Sequence, residues 1–225
     1  MKFKKLFAFA AALLVIGSTN AYAENSDRPK VIVSGAYAEP WGFAEVKIDI
    51  KNNPGISAFS INLSYDEEIL EFADARCGNG LTNGTFFCNG SRSGNSVKAV
   101  WSNASDMYLN DDIAVIRFKV KNAEAETSSA LKIEDSEFGN SHLEPVEIET
   151  HDGEIKIARE ILPGDADENG IIDINDIVTL NLYLLDNHIY PLPSYTAEAN
   201  CDMDKNGIVE ITDSAIMINK LCGIE

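Results

Sequence analysis

Two stretches of this chain carry oxygen-bearing side chains at a spacing that suits a metal ion. Asp165, Asp167, Asn169, Asp173 and Asp176 occupy positions 1, 3, 5, 9 and 12 of a twelve-residue segment, with Gly170 at position 6. Thirty-seven residues later, Asp202, Asp204, Asn206, Glu210 and Asp213 repeat the pattern around Gly207. A hard dication such as calcium takes about six to eight oxygen ligands. In a tightly wound loop, alternate side chains converge on one centre. The backbone carbonyl at position 7, from Ile171 or Ile208, adds another oxygen. Glycine at position 6 permits the positive φ that such a turn needs. The pattern implies two calcium ions, one per loop. The rival reading is an acidic turn that only caps the following helix, and duplication in register weighs against it.

The elements that must hold these loops are legible nearby. Apolar residues after each copy recur at helical spacing: Ile177, Leu180 and Leu184, then Met217 and Leu221. A helix of about three turns therefore follows each loop. Ile172 and Val209, apolar at position 8, suit a short β contact between the loops. Leu162-Pro163-Gly164 precedes the first loop and opposes an entering helix. Position 12 is Asp in both copies, where the EF-hand pattern has Glu. A Pro-interrupted segment from Asp186 to Ser194 separates the copies, with a short helix expected over Tyr195 to Asn200.

The preceding part of the chain reads as all-β. Ala44, Val46, Ile48 and Ile50 alternate with polar residues, as do Phe59, Ile61, Leu63 and Tyr65. Ala114, Ile116, Phe118 and Val120 alternate with Val115, Arg117, Lys119 and Lys121. Period-two alternation buries one face and wets the other. Gly/Asn-rich turns between these runs give a two-sheet sandwich of about eight or nine strands. Composition shifts after residue 157. From residue 161 onward there are twelve acidic residues against two basic ones, Lys205 and Lys220. The join has no flexible Gly/Ser tract, so the second module is expected close to the first.

The doubled loop–helix unit without an entering helix resembles a dockerin, the docking module of cellulosome components. That resemblance implies two bound calcium ions and docking on a cohesin through loop positions 10 and 11 and a later helix pair. Here these are Ile174, Asn175, Asn181 and Leu182, with Ile211, Thr212, Ile218 and Asn219. The Ser/Thr and Lys/Arg pairs common in the family are mostly absent, so apolar contact should carry more of the docking. Internal core packing is the competing reading for Ile174, Leu182, Ile211 and Ile218.

Gly55 to Leu70, with its strand ending in Tyr65-Asp66, resembles the signature of cohesin modules, and Ile113 to Lys121 and Asp152 to Ile157 resemble later cohesin strands. The resemblance implies a dockerin-binding sheet face carrying Ala58, Ser60 and Asn62, with Val100 and Ser102 on a neighbouring strand; alternation places Trp101, between them, in the core. Some cohesins have Asn and Asp where Ala58 and Ser60 stand here, which implies a different partner group.

The expected fold is thus an all-β jelly-roll or β-sandwich, cohesin-like domain over residues 28–158. A short linker at 159–163 follows, then a small all-α, dockerin-like domain at 164–225 with two calcium-binding loop–helix (F-hand) repeats. The implied function is a non-catalytic adaptor scaffoldin. Its dockerin would dock on the cohesin of a larger scaffoldin. Its cohesin would capture a dockerin-bearing protein, such as a polysaccharide-degrading enzyme. The alternative is a carbohydrate-binding module delivered by the dockerin, with Trp41, Phe86 and Phe87 as stacking candidates.

Other classes find little support. The three histidines, His142, His151 and His188, have no nucleophile or metal partner at a telling spacing. No HExxH, GxSxG or P-loop pattern occurs. Asp66, Glu67 and Glu68 read as a solvated turn rather than a glycosidase pair. A net charge of −18 repels nucleic acid and anionic membranes. Lys2, Lys4 and Lys5, an apolar run from Leu6 to Ile16, and Ala21-Tyr22-Ala23 read as a signal peptide over residues 1–23. The chain is expected to be secreted, without direct membrane insertion, and to stay at the cell surface or in a complex through protein partners. Export permits disulfides. Cys77 with Cys88 and Cys201 with Cys222 are one pairing, free thiols the alternative.

Overall fold

The computed structural model describes residues 28–81, 83–121 and 123–224. The leader expected at residues 1–23 lies outside them. In chain order the elements are β1 (Lys30–Val33), β2 (Ala36–Ala38), β3 (Phe43–Lys51), β4 (Ile56–Ser64), β5 (Leu70–Cys77), β6 (Thr85–Gly90), β7 (Ser96–Met107), β8 (Asp112–Val120), β9 (Ser128–Gly139), β10 (Glu149–His151) and β11 (Gly153–Ile157). Three helices follow: α1 (Ile174–Leu185), α2 (Tyr195–Cys201) and α3 (Ile211–Leu221). None is long and apolar enough to cross a membrane.

Two sheets face each other. One has the order β10-β1-β3-β8-β5, the other β2-β11-β9-β4-β7-β6. Neighbours run antiparallel except at one edge of each sheet, where β1 pairs β10 and β2 pairs β11 in parallel. The chain thus crosses between sheets twice at the same edge, at residues 34–35 and at Asp152. Backbones pass closely there: a Cβ on Gly153 would meet the Ser34 carbonyl oxygen at 2.6 Å.

The alternation read from the sequence fills the space between the sheets. Val46, Ile48 and Ile50 of β3, Phe59, Ile61 and Leu63 of β4, and Ile116, Phe118 and Val120 of β8 are buried in one core with Trp101. Trp101 stacks on Phe59 at 6.0 Å, and its indole N–H donates to the Asn83 carbonyl oxygen at 2.9 Å. One alternation needs correcting. Val115, expected on the wet face of β8, is buried. Its register partners are Lys47 and Arg76 on the flanking strands, and long side chains of this kind cover apolar surface with their stems.

The C-terminal module buries far less. Ala166, Ile177, Leu180, Leu192, Ala197, Cys201 and Met217 form its core. Leu184 packs against that core half-buried, whereas Leu221 is exposed. The β contact expected between Ile172 and Val209 is absent among the described ladders. Instead Val209 packs against the small core, and Ser214 on α3 donates to Asn181 on α1 at 2.9 Å. The close seating expected from the short join is present: backbone N–H groups of Arg159, Ile161 and Leu162 donate to Thr196 Oγ1, Glu39 Oε1 and Asn200 Oδ1. All four cysteines are free.

Candidate metal centres and interaction faces

The two loops fold the same way. In the first, Asp165 Oδ1 and Oδ2 accept from the N–H groups of Asn169 and Gly170 at 3.1 and 3.0 Å. In the second, Asp202 takes Asn206 and Gly207 at 3.0 and 2.9 Å. Asp176 closes the first loop by accepting from Ala166, Asp167 and Asp173, and Asp213 closes the second by accepting from Met203, Asp204 and Glu210. Gly170 and Gly207 have φ of 81° and 83°, as the turn requires. Position 4 also turns left-handed, at Glu168 and Lys205, which nothing in those residue types announces.

The result brings carboxylates together. Oxygens of Asp165, Asp167 and Asp176 lie within 4.8 Å of one another, as do those of Asp202, Asp204 and Asp213. Asp176 and Asp213 are fully buried. Among the described residues, no ion pair reaches either loop. Like charges about 4 Å apart repel by about 4 kcal/mol at the effective dielectric of a protein surface. Burial accordingly pushes Asp202 up to about 6, with the charges of Asp213 and Asp204 adding to it against the Gly207 and Asn206 N–H groups. An all-oxygen, anionic donor set of this kind fits a hard divalent cation. Asn169 and Asn206 fold onto their own loops, each donating to the neighbouring Asp at 2.9 Å. Position 9 has a second role: Asp173 accepts from Asn175 N at 2.7 Å and caps α1. Asp173 thus serves the start of α1 from within the loop.

Each loop launches a helix with an apolar stripe on its outer side. Ile174, Asn175, Asn181 and Leu182 on α1, and Ile211, Thr212, Ile218 and Asn219 on α3, are all exposed. Core packing therefore does not account for Ile174, 65% exposed, or Ile211, 70% exposed. Val178 and Leu185 extend the α1 stripe. The sequence carried that signal, since α1 is apolar on more than its core face.

On the sandwich, register joins the remaining candidates. Ala58 on β4 stands opposite Ser102 on β7, Ser60 opposite Val100, and Asn62 opposite Lys98. Ala58, Ser60 and Asn62 are half-buried, while Val100 and Ser102 are exposed. Phe87 on β6 pairs with Val100 and is 65% exposed, so this outer face holds a partly apolar strip, flanked by Glu137 and Asp135 on β9 and by Lys98 on β7. The outer face of the other sheet is charged, with Arg117 paired to Asp74 at 2.5 Å and Arg76 to Glu45 at 3.4 Å. The aromatic platform needed for sugar stacking does not form. Phe86 packs against the core, Phe87 faces out from the second sheet, and Trp41 sits in a turn whose N–H meets the Lys121 carbonyl beside the first.

Residues 31–157 match the cohesin domain family. The chain belongs to the cohesin family. Residues 163–222 match the type I dockerin domain, directly after the cohesin. No curated protein is similar to the chain. Solved structures agree on the cohesin fold. The sixth cohesin of Acetivibrio cellulolyticus scaffoldin B, in complex with a Cel5 dockerin mutant, is 21% identical, with a TM-score of 0.55 over 58% of this chain and 99% of that one. A non-cellulosomal cohesin of the archaeon Archaeoglobus fulgidus is 21% identical, at 0.54 over 59% and 93%. The OlpA cohesin of Clostridium thermocellum, in complex with the Doc918 dockerin, is 16% identical, at 0.54 over 58% and 99%. Cohesins bind dockerins and dockerins bind cohesins, both without catalysis, and type I dockerins are generally calcium-binding. A cohesin followed by a type I dockerin is the make-up of a cellulosome adaptor scaffoldin, and carbohydrate binding is not favoured.

Proposed function

We propose that this cohesin–dockerin chain is a secreted adaptor that plugs into a larger scaffoldin at its C-terminal end and captures a dockerin-bearing enzyme on its sandwich. The repeated carboxylate cradle, each copy leading into an outward apolar stripe, is the observation that carries the reading. Two calcium ions would be held, one by Asp165, Asp167, Asn169, Asp173, Asp176 and the Ile171 carbonyl, the other by Asp202, Asp204, Asn206, Glu210, Asp213 and the Ile208 carbonyl. Each ion would supply the positive charge that lets the carboxylates pack, so that metal binding and folding become linked. The chain's own part is to fix the start of each helix by capping, which aims Ile174, Asn175, Asn181 and Leu182 and their counterparts Ile211, Thr212, Ile218 and Asn219 at a scaffold cohesin. Ala58, Ser60, Asn62, Val100 and Ser102 would receive the enzyme's dockerin. The enzyme assignment rests on analogy with the scaffoldin B cohesin, solved with a Cel5 dockerin.

The test probes the full chain against a panel of type I cohesins and a panel of dockerin-fused enzymes. Asp165→Ala with Asp202→Ala should abolish cohesin binding and leave enzyme capture intact. Cohesin binding that survives the double substitution, or loss of both activities together, would contradict the division of labour.

A further inference from the structure

The two loops share a fold but not an environment. A Cβ added to Gly170 in the first loop would meet nothing within 4 Å. A Cβ added to Gly207, the same position of the second loop, would lie 2.2 Å from the carbonyl oxygen of Gly35 in the sandwich. Conversely, a Cβ on Gly35 would meet the Gly207 carbonyl oxygen at 2.9 Å. Backbone thus rests on backbone where the chain crosses between sheets, and the loop touching it is the second one.

A polar clasp closes beside this contact. Glu198 on α2, four residues before Asp202, accepts from Tyr37 Oη of β2 at 3.1 Å and from Lys156 Nζ of β11. Lys156 Nζ also lies 4.9 Å from the centre of the Tyr195 ring. The Glu198–Lys156 pair is mostly shielded, at 18% and 26% side-chain exposure, where a charge pair is screened less than on open surface. At the other end of α2, Glu126 of the sandwich accepts from Tyr195 N at 2.7 Å. The clasp holds the helix that leads into the second loop.

We infer that the sandwich braces the second loop: the two modules form one rigid body, and cation binding at that loop and seating of the C-terminal module on the sandwich strengthen each other. This rests on the calcium reading above. Any such coupling is reciprocal. It also fixes the angle between the two partner-binding faces, since α2 is turned to the sandwich and the apolar stripes of α1 and α3 stay outside.

Calcium titration of the full chain tests it, with backbone amide relaxation as the second readout. Gly35→Val lies outside both loops, and Tyr37→Phe with Lys156→Gln opens the clasp without touching the core. Both variants should weaken one of the two calcium sites by about fivefold or more, the low end of typical coupling between sites. In an Asp165→Ala background that weakened site should be the one remaining. Calcium-saturated wild type should show one tumbling time for both modules, and the variants two. Two bound ions with affinities unmoved in both variants, or independent tumbling in the wild type, would overturn the brace while sparing the calcium reading. Absence of any bound ion would overturn both.

Discussion

The sandwich and the C-terminal module are stabilised in different ways. The sandwich closes two sheets over large buried side chains such as Trp101, Phe118, Ile61 and Leu63. That apolar core suffices at any ordinary ion concentration, because burial at about 25 cal/mol per Å² accumulates over two full sheet faces. The helical module has a short list of buried apolar residues and adds Asp165, Asp176, Asp202 and Asp213 to its interior. Its buried carboxylates oppose its collapse, and a bound cation would offset them. On the proposed reading, one half of the chain is permanent and the other conditional.

Removing the cation should separate the halves most sharply. With chelator, or in the Asp165→Ala, Asp202→Ala chain, the helical circular dichroism should be lost while the β signal and its thermal transition persist. Next in size, Trp101→Ala should cost the sandwich about 3–5 kcal/mol, read as a drop in the calcium-insensitive transition. Ile174→Asp or Ile211→Asp should weaken cohesin docking by about 2 kcal/mol, the scale of an interface hot spot. Because both side chains are exposed, the melting temperature should barely move. Val100→Asp should do the same to enzyme capture at the other end. The smallest effect is in pH. Asp202 is raised from 3.8 to about 6 in the cation-free fold, so its contribution to cation-free stability is lost as pH rises through that window. Helical signal in chelator should therefore recover in part as pH falls below about 6. Circular dichroism of the chelated chain at several pH values would read this directly.

The conditional half was the more legible in sequence, because ligand spacing is a local property. Asp165 to Asp176 already gives the loop, its glycine and the capped helix after it. The strands around Ile48, Ile61 and Phe118 were equally local. What escaped depends on contacts far apart in the chain. Tyr37 and Glu198 meet across 161 positions, and neither residue type signals the other. Phe87 joins Val100 only because of the β6–β7 register. Val115 is buried between Lys47 and Arg76, its register partners on the flanking strands, and Leu221 is exposed. The left-handed backbone at Glu168 and Lys205 follows from loop closure rather than from residue type.

On the proposed reading, a doubled cation cradle would make the C-terminal module conditional while the sandwich stands alone. Equilibrium dialysis of the full chain against calcium, with circular dichroism on the same samples, tests it directly. Two ions should bind per chain, with helical signal rising as they bind. No bound ion, or helices fully formed in chelator, would contradict it.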